Sequence, residues 1–348
     1  MHCIEKTVLP GGVTSLRVRG GWSKDVENAL EEIDFDRLEI GAGLIGGFSK
    51  FQKFSKKIRW LWNSAVRESV GLEKLTEIRR IDSFDVVPEP PFDYRLLPKL
   101  KCFSCTNAKK IPAKYLNTPS LECLDVEYLK IVDLSCFFQT KALRALRLSN
   151  TTLRSIQGVE HLSSLHELRL LKCRSLKDIT HLRFVDNLEI LELEGTHSIV
   201  NVEPIYGLKK LKKLFIDSRN ARQVNFDWLE SVPELECASI LIETDNVDWT
   251  VFAKHPRLYD ICFFANKGFV YESSEDVIKK LSSYGKCVKS FKQFPKSEFP
   301  AFAIEFVPDL NIKNPAPQYF FRNKLQFSGS SLDWGELLSR DALSNSKF

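Results

Sequence analysis

The 348-residue chain contains no apolar run near the roughly 18–20 residues that a bilayer-spanning helix needs, so no membrane partner is expected. Its first residues, MHCIEKTVLPGG, lack the continuous apolar core of a secretory signal, and a cytoplasmic location is the corresponding expectation. Five basic residues never occur in succession and the formal net charge is only +5, which gives nucleic-acid binding little support. Nine cysteines, an odd number, lie scattered without a framework spacing; this argues against a disulfide scaffold and for reduced thiols. GxSxG and P-loop motifs are both missing, and the glycines at Gly41, Gly43, Gly46 and Gly47 lack the Lys-Ser/Thr of a phosphate loop. The six histidines (His2, His161, His166, His181, His197 and His255) show no ligand spacing and stand beside no nucleophile, so they read as surface or cap residues. Neither catalysis nor a bound metal or cofactor is expected.

What the chain does have is a period. The pattern L-x-x-L-x-L occurs at Leu121-Leu124-Val126, Leu143-Leu146-Leu148, Leu165-Leu168-Leu170, Leu188-Leu191-Leu193 and Leu211-Leu214-Ile216. Degenerate copies stand at Leu100-Phe103-Cys105, Leu235-Ala238-Ile240 and Leu258-Ile261-Phe263, and the first positions are 21, 22, 22, 23, 23, 24 and 23 residues apart. Spacing this constant is an internal repeat. In x-L-x-L-x the side chains of a short strand alternate, so the leucines face a core and the residues between them face the other surface. No single repeat could bury its apolar edge alone, but stacked repeats make a continuous core. With 21–24 residues per turn the returning limb is too short for a full helix, so extended or 3₁₀ segments are expected there.

The residues carrying this period resemble the leucine-rich repeat family, in its short-repeat bacterial, internalin-like variety; LRALRLSNTTLRSIQGVEHLSSL and LEILELEGTHSIVNVEPIYGLKKL read almost as consensus units. The resemblance implies an α/β leucine-rich repeat solenoid, with a curved parallel sheet and protein binding as its usual work. It also implies a side-chain ladder eight residues after each first leucine, held here by Thr151, Cys173 and Thr196 in place of the usual Asn. At Leu129 and Arg219 that ladder breaks, and less regular turns are expected.

Residues 100–268 form the regular repeats. Residues 1–99 read as degenerate repeats and a cap, with candidate strands at Leu16 and Val18, Leu38 and Ile40, Ile58 and Trp60, and Ile78; a separate small domain is the alternative. The proline-rich VVPEPPFDYRLLP interrupts the series. Residues 269–310 read as a C-terminal α+β cap: a helix in SSEDVIKKLSSYG, opened by Ser273 and closed by Gly285, then strands VKSFKQF and AFAIEFV. In 311–348 a short amphipathic helix is expected in SLDWGELLSRDAL, and no element in SNSKF.

Cys102 and Cys105 form a C-x-x-C, but alternation puts them on opposite faces of a strand, where they can neither chelate one ion nor form one disulfide. Function therefore falls to the outward positions. The pair Arg147 and Arg169 is flanked by Asp125, Glu127, Glu192 and Glu194, with Asp217 beyond, and Leu171, Ile190, Phe215, Leu241 and Phe264 add an apolar component. Apolar anchors among mixed charges suit a protein partner. The partner-binding set is Asp125, Arg147, Arg169, Leu171, Glu192, Glu194, Phe215, Asp217, Leu241 and Phe264, expected to lie outside the core so that substitution there spares stability. The chain reads as a monomeric, non-catalytic interaction module, most specifically an immunity protein neutralising a toxin. An effector or enzyme subunit with an unrecognised activity in its N-terminal segment is the alternative.

Overall fold

A computed structural model describes residues 3–43, 47–83, 87–265, 272–294 and 301–306. The expectations for 311–348, and the glycine at position 46, lie outside these residues. The chain divides into two compact units, one built on Met1–Pro90 and one on Lys101–Lys313, with Leu96–Leu100 counted in the first and Pro91–Arg95 in the second.

In the first unit β1 (Cys3–Val8) pairs antiparallel with β2 (Thr14–Arg19). Next come α1 (Lys24–Glu32), β3 (Arg37–Ile40), β4 (Trp60–Asn63) and β5 (Arg80–Ser83), with β2 to β5 all parallel. The register aligns Leu16, Leu38, Leu61 and Ile81, all buried. Trp60 therefore faces outward, one residue off the inward position expected for it; Ile58 is buried ahead of the strand, in the role of a first leucine. The helix α1 was not expected. Its limb, SKDVENALEEID, carries no Gly or Pro and has a Ser23 cap accepting from the Val26 amide, and it buries Val26, Ala29 and Leu30 against the unit's core.

The second unit repeats one device. Its strands β6 (Cys102–Cys105), β7 (Cys123–Glu127), β8 (Ala145–Ser149), β9 (Glu167–Leu171), β10 (Ile190–Glu194), β11 (Lys213–Gln223), β12 (Cys237–Thr244) and β13 (Asp260–Phe264) pair parallel and in sequence order. Leu124, Leu146, Leu168, Leu191 and Leu214 stand in one inward column and are fully buried. Short 3₁₀ turns such as Val159–His161, Thr180–Phe184 and Glu203–Gly207 fill the returning limbs, as the repeat length requires. After β12 comes α2 (Trp249–Lys254), where Asp248 caps an apolar limb. Toward this end aromatic rings replace leucines: Phe263 stacks on Phe302 at 5.3 Å, and Trp249 meets Phe302 at 5.2 Å.

The α+β cap is present as α3 (Ser274–Ser282), β14 (Val288–Phe294) and β15 (Ala301–Phe306). Ser273 accepts from the Asp276 amide at 3.1 Å, and β15 pairs antiparallel with both β13 and β14.

The turns after the strands correct one expectation. Tyr128, Asn150, Lys172 and Gly195 occupy the same position of four successive repeats, and all have φ between 54° and 62°. The turn at Leu129 is thus as regular as its neighbours; the buried Leu129 side chain takes the ladder's place by apolar packing. Thr151 and Cys173 do hold the ladder, 3.2 Å apart, but Thr196 does not extend it: its buried Oγ1 has no hydrogen-bond partner among the described residues. At Arg219 the break is real: β11 runs on to Gln223, and its pairing with β12 slips between Asp217 and Arg222.

Candidate functional site: the outward face of the sheet

The register brings the predicted residues together. Asp125, Arg147, Arg169, Glu192 and Phe215 are direct neighbours on successive strands β7 to β11, and Leu171, Glu194, Asp217 and Leu241 form a parallel column, with Phe264 at its end on β13.

Their burial departs from expectation. Asp125, Arg147, Glu194, Asp217, Leu241 and Phe264 are half-buried, whereas Arg169 is 7%, Glu192 1%, Phe215 6% and Leu171 9% exposed. An arginine this deeply buried needs countercharges. Arg169 has them on both sides: its Nε donates to Glu167, and its Nη1 donates to Glu192 Oε2 at 2.8 Å. Arg147 Nη1 donates to Asp125 Oδ2 at 3.4 Å. Burial, the largest influence, pushes the Glu194 carboxyl above its ordinary range; Lys172 opposes this and Asp217 reinforces it. Such a carboxylate gains most when a cation arrives.

The first unit has an outward face that sequence reasoning missed. The Arg80 guanidinium lies 4.2 Å from the Trp60 ring, and that of Arg37 lies 5.2 Å from Trp60 and 4.6 Å from Trp62. Trp60 Nε1 donates to Asp82 at 2.5 Å, and Arg80 Nε donates to the same carboxylate at 3.0 Å. Reading Trp60 as outward would have revealed the ladder, because Arg37 and Arg80 then fall beside it, 23 residues before and 20 residues after.

Other predicted features resolve simply. Cys102 and Cys105 are both buried, and Cys102 pairs in register with Cys123. His255 is a buried cap rather than a surface residue: it closes α2, is only 3% exposed and accepts the Leu258 amide at Nδ1 (3.0 Å), with Nε2 3.1 Å from the Val232 carbonyl, and burial lowers its pKa to about 4. Among the described residues no three His, Cys, Asp or Glu side chains gather where they could hold a metal ion, and no helix is long and apolar enough to cross a membrane.

Inward leucine columns, one parallel strand per repeat and 3₁₀ returning limbs define a leucine-rich repeat solenoid fold. Comparison with known proteins agrees at the level of fold. No family model matches the chain. A curated Arabidopsis thaliana sequence, "Probable disease resistance protein At5g45510", is 27% identical over 158 residues, which is 43% of this chain and 12% of that protein's length. Among solved structures, a TDR receptor aligns over 71% of this chain and 50% of its own at 15% identity and TM-score 0.50. A Listeria monocytogenes internalin aligns over 75% and 88% at 16% identity and TM-score 0.47.

Proposed function

We propose that the chain is a non-catalytic protein-binding module whose partner sits on the outward face of β7 to β13. The observation that carries this reading is the Arg169 triad. A buried ion cluster is a poor source of stability, since desolvation offsets much of its Coulombic gain. It does, however, fix side chains in one arrangement before a partner arrives, which lowers the cost of binding. The half-buried members, Asp125, Arg147, Glu194, Asp217, Leu241 and Phe264, meet the partner; Arg169, Glu192, Leu171 and Phe215 set their positions. The finer reading is a cytoplasmic immunity role, binding and neutralising a harmful protein. It is supported by the local similarity to a sequence described as a disease resistance protein.

Affinity capture from the native host, followed by calorimetry on the purified partner, tests the module reading. Arg147→Glu and Leu241→Ala should each weaken affinity by about 1–4 kcal/mol, the range of interface anchors. Unchanged affinity in both variants would refute the assignment of this face. Protection of cells expressing a toxic partner separates the immunity role from simple binding.

A further inference from the structure

The outward face of the first unit differs in charge from that of the second. At the three outward columns of the repeats, on β6 to β13, seven carboxylates stand against three bases: Glu167, Asp260, Asp125, Glu192, Glu127, Glu194 and Asp217 against Lys213, Arg147 and Arg169, while the extension of β11 and β12 beyond these columns adds Glu243 with Arg219 and Arg222. On β1 to β5 four guanidiniums, Arg17, Arg19, Arg37 and Arg80, meet three carboxylates, Glu5, Glu39 and Asp82.

The distribution of those three matters more than their number. Arg17 takes two of them, donating to Glu39 and, at 3.3 Å, to Glu5. Arg80 gives only its Nε to Asp82, so neither of its Nη groups has an acceptor among the described residues. Arg37 makes one long contact, 3.6 Å to Glu39, and its buried Nε has no partner. Arg19 is exposed and meets no carboxylate among the described residues, yet its side chain is seated. A Cβ on Gly41 would stand 2.7 Å from Arg19 Cγ, so the bare glycine lets Arg19 lie across the neighbouring strand.

We propose that this face binds an acidic peptide segment of a protein partner, with carboxylate side chains on the Arg19 and Arg80 forks and the edges of Trp60 and Trp62 as apolar anchors. A guanidinium fork matches a carboxylate in two parallel hydrogen bonds. Stacking on indole holds Arg80 and Arg37 in place beforehand, so little side-chain entropy remains to be lost on binding. Arg19 and Arg80 are three strands and four residues apart, about 20 Å on the diagonal. About six extended residues cover that distance. A nucleic acid is the poorer fit, because guanidiniums already lie against Trp60 and leave it a poor platform for a base.

The test uses the full chain and a fluorescein-labelled glutamate octapeptide in about 150 mM salt. A lysine octapeptide and a single-stranded oligonucleotide of equal length serve as alternatives. Saturable binding of the glutamate peptide is expected, with a Kd at least roughly tenfold higher in Arg19→Gln and in Arg80→Gln. Gly41→Leu, which fills Arg19's seat and needs no positive φ, should act like Arg19→Gln. Lys209→Gln, at an exposed position of a returning limb in the second unit, should leave peptide binding unchanged. Arg19 is exposed, so its loss leaves the fold intact. No saturation up to about 1 mM peptide, binding indifferent to both arginines, or tighter arginine-dependent binding of the oligonucleotide would each overturn the proposal.

Discussion

Residue neighbours in one strand illustrate two different debts to burial. Leu168 is an inward residue with no exposed surface, and Leu168→Ala should cost about 2–5 kcal/mol by emptying its site. Arg169, the next residue, points the other way, and its sequence position suggested that changing it would spare the fold. The structure reverses that expectation. Arg169→Ala would leave Glu167 and Glu192 buried side by side without their cation, at a cost of about 3–5 kcal/mol. Urea melts of the two variants should therefore show comparable losses; a near-native midpoint for the arginine variant would mean that the triad is not buried. His255 gives a pH signature. Its folded pKa of about 4 lies below the ordinary 6.5, so the fold favours the neutral ring. That stability is whole above pH 6.5, shrinks as the pH falls, and is gone below about 4. The full gap is worth about 3 kcal/mol, of which roughly 1 kcal/mol is lost between pH 7.5 and 5.5. Urea midpoints at these two pH values should differ for the native chain and less so for His255→Gln. Column membership was legible in the sequence, because alternation alone assigns Arg169 and Phe215 to the outward side. Their burial was not, since it depends on what lies over a sheet face, and no periodicity encodes that.

Elements were readable in proportion to their local signals. The leucine strands and α3 carry both period and cap, and both stand where the pattern puts them. Helix α1 escaped notice because its apolar residues, Val26, Ala29 and Leu30, sit within a stretch that also fits a returning limb. Strand β4 was misread by one residue because its aromatic run, Trp60-Leu61-Trp62, alternates equally well in either register. One glycine shows what the limbs demand of each other. Gly158 opens the turn Val159–His161 with φ of 97°, and a Cβ there would stand 2.3 Å from the Ser135 amide nitrogen. Both the backbone conformation and the approach of the preceding limb exclude a side chain. Gly158→Ala should cost at least about 2 kcal/mol, whereas Gly207→Ala, with open space around it, should cost little. Equal melting temperatures for the two would show that the limbs are not closely stacked.

Stacking has a consequence at the scale of the molecule that its own cysteines can report. In a repeat architecture each turn is stabilised mainly by its two neighbours, so opening starts at the ends of an array and reaches the middle last. In the second unit buried thiols mark several places along that line: Cys102 and Cys105 on β6, Cys173 after β9, Cys237 on β12 and Cys262 on β13. Burial pushes the thiols of Cys237 and Cys262 up to about 12 and raises that of Cys173, so none reacts as a thiolate until its surroundings open. Cys287 is exposed and supplies the unprotected reference. Alkylation of the native chain in sub-denaturing urea, read by peptide mass spectrometry, should label Cys287 at once. Cys237 and Cys262, nearest the C-terminal end of the array, should follow, with Cys173 later than both by at least about tenfold. The order is informative because the alternatives differ in kind. A unit that opens only as a whole would label all five buried thiols at one rate set by global stability. Labelling of Cys173 before Cys237 and Cys262 would mean that the central repeats are the weak ones, against the nearest-neighbour account of how these leucine columns hold together.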